Sequence, residues 1–495
     1  MSELLIRQAR LVRMVPGQPD HPVDVRVCDG LVAQIGPGLA REPDQRTIEA
    51  EGRWLAPGFW DHHVHFSLWA VASLRFDTST TRTPEDLCAV VATQVAASRE
   101  ADELLVGFGH RPSSWERTVT TAELDAVSGR HPVVLIAADV HSGWVNSAAQ
   151  RLLQTQQDGI CYEHEWFELV NRLERLQADP RLMGPAVEQR LSEAARLGVV
   201  GLVDLVFDGS LGGWPELSDA GAAVPRVQVG IGPAGLDLVE QAGYRTGDRL
   251  DRRGQVTMGP LKLICDGALT SVTACCRQPY GPDHGHGVLS YSPDQLLDLV
   301  RRGHAAGLEI ACHAIGDAAA AAVLDVFEQT GARGSIEHAQ LMTPADIART
   351  ARLGLVASVQ PYHLIDDIEA LDRLWPDRAE HAFALRSLLD AGVELRLGSD
   401  APIAPLDPLA AMAAAVHRNL AGEPSWHPEQ RITVAEALAA SVRSRVRVGA
   451  PADLVLLDAD PLAVVDDSAQ AAQALQRLRP VYATICNGRV LHHCA

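Results

Sequence analysis

Two stretches of alternating residues frame the chain. Near the start, Val23-Asp24-Val25-Arg26-Val27-Cys28 alternates apolar and polar positions, turns at Asp29-Gly30 and runs on in β-type residues. Near the end, residues 452–460 are followed by residues 481–491, which carry an Asn487-Gly488 turn. Asp-Gly and Asn-Gly favour tight hairpins whose central residues need positive φ. These segments predict one small β-sandwich domain built from both termini, residues 1–57 and 445–495.

Between the ends the pattern changes to short, continuous apolar runs. They fall at residues 55–65, 199–205, 226–232, 259–265, 308–313, 334–339, 355–360 and 393–399. Apolar runs separated by helical stretches read as strands of a parallel sheet covered on both faces. Eight of them is the number that closes a (β/α)8, or TIM, barrel, so the fold class is α/β. The helices after the fourth and fifth runs have clear limits: Ser292-Pro293 opens one that stops by Gly307, and the next stops at Gly331. This count makes residues 58–444 the barrel domain, with 66–190 an insertion after the first strand. The insertion has strand candidates of its own, at 103–110 and 132–140, and a long charged helical region around 163–196. In the alternative count those two candidates belong to the barrel and two of the eight do not.

The strand ends carry the chemistry. His63 and His65 sit at the end of the first run, and alternation sends side chains i and i+2 to one face, so both can bind one metal. His62 then points the other way and is structural. Lys262 lies on the fourth strand, His313 ends the fifth, His338 ends the sixth, and Asp400 follows the eighth. Such barrels build their active sites at the C-terminal ends of the strands. Each residue alone has a plainer reading: a chance H-x-H, a snorkelling lysine, a hydrogen-bonded histidine, a helix-capping aspartate. The joint placement favours a metal site. Imidazoles suit zinc and its neighbours, and a carboxylate adds negative charge. A buried lysine has a lowered pKa, so its neutral amine can capture carbon dioxide as a carbamate that bridges two metals. Two metals can share a hydroxide and polarise a carbonyl, with Asp400 as the acid/base.

Composition narrows the partners. The 495 residues are 47% hydrophobic and 21% charged, which is ordinary for a globular chain of more than one domain. A formal charge of −20 argues against nucleic acid or an anionic membrane, leaving a small-molecule substrate. Arg7, Arg10 and Arg13 interrupt the first apolar stretch, so no signal-peptide core is expected. Nine cysteines without a C-x-x-C spacing argue against a disulfide framework and for the cytoplasm. Cys275 and Cys276 read as unrelated thiols.

The segments 57–66, 124–149, 261–271, 279–296, 312–320, 336–340, 398–402 and 452–462 together resemble the amidohydrolase superfamily. The likeness is closest to its amidohydrolase-3 branch, which includes N-substituted formamide deformylases. The resemblance implies two metal ions, zinc by default with iron, manganese or nickel as alternatives, with His63 and His65 on the more buried one and His313 and His338 on the more exposed one. Lys262 would bridge as a carbamate, and Asp400 would be both ligand and acid/base. It also implies a substrate or oxyanion role for His141. Trp144, Arg277 and Tyr280 are candidates for the pocket wall, and Asp317 for orienting a ligand or capping a helix. A homodimer is expected, as in many relatives. The implied reaction is hydrolysis of a C–N bond in an N-acyl or N-formyl amine. Cyclic amides, carbamates or esters are the alternative substrates, and a ligand-sensing regulator the alternative role, against which Asp400 speaks. Lys262 disfavours a one-metal deaminase. Residues 437–454 look shorter than the family pattern, a departure at the barrel-to-sandwich junction.

Overall fold

The computed structural model describes residues 4–494 apart from 44, 99, 101, 113–114, 118, 157, 178–179, 208, 281–284 and 464–466. Part of the resembling segment 279–296 therefore lies outside the described residues, as do two positions of the helical region 163–196.

Eight parallel strands follow one another around a TIM barrel: β1 (Phe59–Val64), β2 (Val199–Val206), β3 (Arg226–Ile231), β4 (Val256–Ile264), β5 (Ile310–Ala314), β6 (Gly334–His338), β7 (Val356–Val359) and β8 (Glu394–Leu397). Apart from Asp204 no charged or polar side chain interrupts β2, which is buried at every position because both faces of a barrel strand are covered. The seam between β8 and β1 is closed by backbone bonds just beyond the strand ends. Asp400 N–H donates to the His63 carbonyl at 2.7 Å, and His65 N–H donates to the Ala401 carbonyl at 3.0 Å. The Asp61 carboxylate adds a side-chain stitch, accepting from His63 N–H at 3.1 Å and Ser399 N–H at 2.9 Å.

The outer helices obey their local signals. Pro293–Ala305 starts behind Ser292 with a reciprocal capping box to Gln295. Asp317–Thr330 ends where Gly331 turns to φ 63°.

The expected first strand, 55–65, is two strands. Trp54–Pro57 pairs antiparallel with Leu454–Leu457 in the terminal sheet, and Phe59–Val64 enters the barrel. The chain changes sheets at Gly58, where a Cβ would lie 2.3 Å from Val200 Cγ1. Leu4–Leu11 also changes partner, from Arg46–Glu49 to Trp54–Pro57, across an irregularity at Gln8, whose φ is 57°. Strands from both termini enclose one core that includes Leu4, Ile6, Val25, Leu454 and Ile485. Both expected hairpin turns have positive φ, at Asp29-Gly30 and Asn487-Gly488.

The insertion has a sheet of its own. Phe76–Asp77, Leu105–His110, Val133–Ala137, Ser142–Val145 and Ile160–Tyr162 form five strands that pair only with one another among the described residues. This overturns the alternative count, in which the second and third of these were barrel strands. Their apolar faces are already satisfied by Leu87, Val91, Trp144 and Trp166.

The short junction 437–454 packs against the N-terminal mouth of the barrel. There Arg443 lies over the Trp60 ring at 3.9 Å and donates to His62 Nε2 at 3.1 Å and to Gln228 Oε1 at 2.6 Å. All nine cysteines are free thiols. Among the described residues no helix is long and apolar enough to cross a membrane.

Candidate metal centre

The end of β1 turns two imidazoles toward one point. His63 is fully buried, and its Nδ1 lies 2.6 Å from Glu337 Oε2. A carboxylate only accepts, so Nδ1 carries the proton and Nε2 offers a lone pair. His65 Nδ1 donates in the same way to the Leu205 carbonyl at 2.8 Å. Both Nε2 atoms then face Asp400 Oδ1, at 3.4 Å from His63 and 3.2 Å from His65. These hydrogen bonds fix tautomer and ring orientation as metal-binding histidines require.

Electrostatics prepares the same atoms for a cation. Burial, reinforced by the Lys262 charge, pushes the His63 imidazole down to about 4, so it is neutral near pH 7. His338 is held well below its ordinary value, first by burial and then by His313, with smaller parts from His63 and Lys262. Burial works to raise the Asp400 carboxyl, but His63, His65 and His338 outweigh it and hold the group well below the usual range. Neutral nitrogens around an ionised carboxylate are the donor set a divalent cation needs. Lys262 is buried, with its amine lowered chiefly by desolvation, and Nζ lies 3.1 Å from His63 Nε2.

Two of these side chains sit on strained backbone. His338 has φ 68°, its neighbour Ala339 44°, and Asp400 61°, all in the left-handed region that non-glycine residues avoid. The buried atoms His338 Nδ1 and Asp400 Oδ1, together with His363 Nε2, have no hydrogen-bond partner among the described residues. Buried polar atoms are ordinarily paired, and this convergence fits a site that takes a metal ion.

His313 also reaches the mouth, with its ring 4.5 Å from that of His338. Its Nε2 faces the Gly267 carbonyl at 3.2 Å and Asp266 Oδ1 at 3.4 Å. Asp266 also accepts the backbone N–H groups of Ile315, Gly316 and Cys275, which organises the loops after β4 and β5. A cavity of about 300 Å³ opens over the cluster, with Leu68, Phe207, Leu269, Ile315 and Ile403 in its wall. His141 enters this cavity from the insertion, and its Nδ1 is 3.1 Å from Glu163 Oε2. Burial would lower the His141 imidazole, but Glu163 outweighs burial and raises it.

Four expected positions lie elsewhere. Trp144 is fully buried in the insertion core beside Trp115, because its strand turns it inward. Arg277 is outside the cavity, bound to Asp346 at 2.9 Å. Tyr280 packs near Trp375 with its hydroxyl donating to the Ala274 carbonyl at 2.8 Å. Among the described residues Asp317 orients no histidine; it opens its helix and accepts the Arg277 N–H at 2.9 Å.

Two contributors escape the sequence pattern. Glu337 adjoins His338 within one strand, and its value shows only once the barrel brings β6 within reach of His63 on β1. His363 lies in the first turn of Pro361–Leu374, with Nε2 3.7 Å from Asp400 Oδ2. Its position just after β7 is the available signal, since barrel sites collect at strand C-terminal ends.

A (β/α)8 barrel with histidines, a buried lysine and a carboxylate at this mouth defines a metal-dependent hydrolase. The chain belongs to the amidohydrolase family, whose model matches residues 46–492. It is 29% identical to YtcJ of Bacillus subtilis (strain 168), whose name gives it as a candidate amidohydrolase, over 91% of each chain. It is 26% identical to the N-substituted formamide deformylase of Arthrobacter pascens over 97% of each chain. Among solved structures, an uncharacterized metal-dependent hydrolase from Pyrococcus horikoshii OT3 shares the fold. That match has a TM-score of 0.78 and 22% identity, and covers 94% of this chain and 99% of the other.

Proposed function

We propose that this protein hydrolyses the C–N bond of an N-acyl or N-formyl amine. The observation that carries the reading is the cluster of His63, His65 and Asp400 opening on a cavity with a largely apolar wall. The likeness to a formamide deformylase over nearly the whole chain supports the substrate class. His63, His65 and Asp400 would hold a divalent ion, with Lys262, His313 and His338 around it; zinc suits these donors. Bound there, zinc supplies Lewis acidity toward a carbonyl oxygen and makes water a stronger acid.

The chain's own residues do the rest. Glu337 and the Leu205 carbonyl keep both β1 imidazoles in the ligand tautomer. Asp400 accepts the proton of the attacking water on a carboxylate oxygen and returns it to the leaving nitrogen. His141, braced by Glu163, stands on the insertion side of the cavity to donate to the substrate's carbonyl oxygen. The apolar part of the wall accommodates an apolar substituent on the amine. Lys262, buried and with a lowered pKa, is suited to carbamate formation.

The test is a panel of N-formyl and N-acetyl amines with apolar N-substituents, assayed with zinc-loaded protein. Release of free amine that a chelator abolishes is expected. Turnover of esters or cyclic amides, with none of the open-chain amides cleaved, would overturn the substrate class.

A further inference from the structure

The barrel has a second cavity, at the mouth opposite the metal centre. It measures about 150 Å³ and is walled by residues from all eight barrel strands near their N-terminal ends. At about 30 Å³ per water, that is room for about five waters or one small ion. The interior of such a barrel is ordinarily filled by branched apolar side chains. Here Gln228, Ser335, Glu337, Ser358, Glu394 and Arg396 line it as well. We propose that this cavity binds a small oxyanion, a carboxylate or a phosphate, on Arg443 and Ser358. The site rests on the barrel itself and stands apart from the metal-dependent reading.

Arg443, at the edge of the cavity, is a cation without an anion. It lies over Trp60, and its Nε and Nη1 donate to His62 Nε2 at 3.1 Å and Gln228 Oε1 at 2.6 Å. An imidazole that accepts on Nε2 is neutral, and so is an amide. Among the described residues no ion pair joins Arg443 to a carboxylate, and Nη2 has no hydrogen-bond partner. Solvent reaches Arg443 from outside. The surrounding protein, and after it the Arg396 charge, nevertheless depress its guanidinium and outweigh Glu309 and Glu394. The carboxylates of the cavity already have partners. Glu394 accepts from Arg396 Nε at 2.8 Å, and Glu337 accepts from the Ser335 hydroxyl and from His63 Nδ1. Glu309 faces Arg333 at 4.0 Å on the solvent side.

Ser358 is the second observation. It is buried on β7, lines the cavity, and its Oγ has no hydrogen-bond partner among the described residues. A buried hydroxyl is ordinarily paired. What this mouth leaves unspent is therefore a guanidinium edge and a hydroxyl, both donors. A planar guanidinium with a hydroxyl suits the oxygens of a carboxylate or a phosphate. The cavity admits nothing larger than a small ion.

The experiment is isothermal titration calorimetry of sodium phosphate, and separately sodium acetate, into zinc-loaded protein, with sodium chloride at matched ionic strength as the blank. Wild type, Arg443→Gln and Ser358→Ala are compared. The expected result is one oxyanion per wild-type chain. Binding should weaken by about 10–100-fold in Arg443→Gln and by about 3–10-fold in Ser358→Ala. Whichever probe binds more tightly decides between phosphate and carboxylate. Arg443→Gln also alters the contacts to Trp60 and His62. Ser358→Ala removes only an unpaired hydroxyl, so it keeps the test decisive if the arginine variant fails to fold. An anion held at the metal would be indifferent to both substitutions. Unchanged affinity in either folded variant would therefore place the anion elsewhere and overturn the inference. Binding of neither anion by wild type would overturn it too, and leave the hydrolase reading intact.

Discussion

His62 and His63 are neighbours in one strand and meet opposite fates. His62 points to the N-terminal mouth of the barrel, where Nδ1 is bonded to the Leu397 carbonyl at 2.9 Å and Nε2 accepts from Arg443. Both nitrogens are satisfied by the protein. His63 points to the C-terminal mouth, where Nδ1 is fixed by Glu337 and Nε2 lies 3.1 Å from Lys262 Nζ, beside His338 Nδ1 and Asp400 Oδ1, which have no hydrogen-bond partner among the described residues. The contrast separates a structural histidine from a candidate ligand. Burial is shared and discriminates nothing; the unpartnered polar atoms around the imidazole do.

The largest effect should come from Asp400→Asn, which keeps the shape but removes the proton acceptor. Amide turnover is expected to fall by about 10²–10⁴-fold, measured on whichever N-formyl or N-acyl amine the panel identifies. Next is Glu337→Gln, which removes the charge behind His63. Zinc affinity should weaken by about 10–100-fold, read by competition with a chromophoric chelator. If His62→Phe weakened zinc as much, the contrast between the two mouths would collapse. The expectation for His62→Phe is unchanged zinc affinity with a stability loss of about 1–3 kcal/mol, from the unpaired Leu397 carbonyl and Arg443 Nε. Denaturant unfolding of the metal-free protein measures it.

A third buried histidine gives the smallest effect and a pH signature. His110, in the insertion, is pushed down to about 3 by burial. Its folded pKa lies below the unfolded value of about 6.5, so its contribution is fully present above that value. It is lost as pH falls from there toward 3. His110→Phe should flatten the decline in melting temperature between neutral and mildly acidic pH, away from any candidate ligand.

Much of this site is legible in the order of residues alone. The i, i+2 spacing puts His63 and His65 together, and strand ends locate Lys262, His313, His338 and Asp400 at one mouth. What escapes is information that neither spacing nor alternation holds. His363 sits on a helix, where the two-residue period of a strand does not apply. Strict alternation in β6 would turn Glu337 and His338 to opposite faces, yet both reach the same cluster. The left-handed turn at His338, φ 68°, makes that possible, and no residue type in the segment announces it. Trp144 misleads for the converse reason: a motif names positions, while the pleat of its sheet decides which side chains enter a core. Gly58 shows a similar limit, since the run 55–65 reads as one strand until Val200 is placed against it.

The seam between β8 and β1 bears on how the protein is made. The residues it joins are far apart in the chain; Ser399 and Asp61, bonded across it, are separated by 338 positions. A growing chain therefore displays His63 and His65 long before Asp400 has been made, and two imidazoles without their carboxylate make a poor cation trap. Contacts of such long range form late in folding because loop closure must come first. The backbone bonds that shut the barrel are made by His63, His65 and Asp400 themselves, so closure and assembly of this cluster coincide. A metal taken up by these residues would find its site complete only once the barrel has closed.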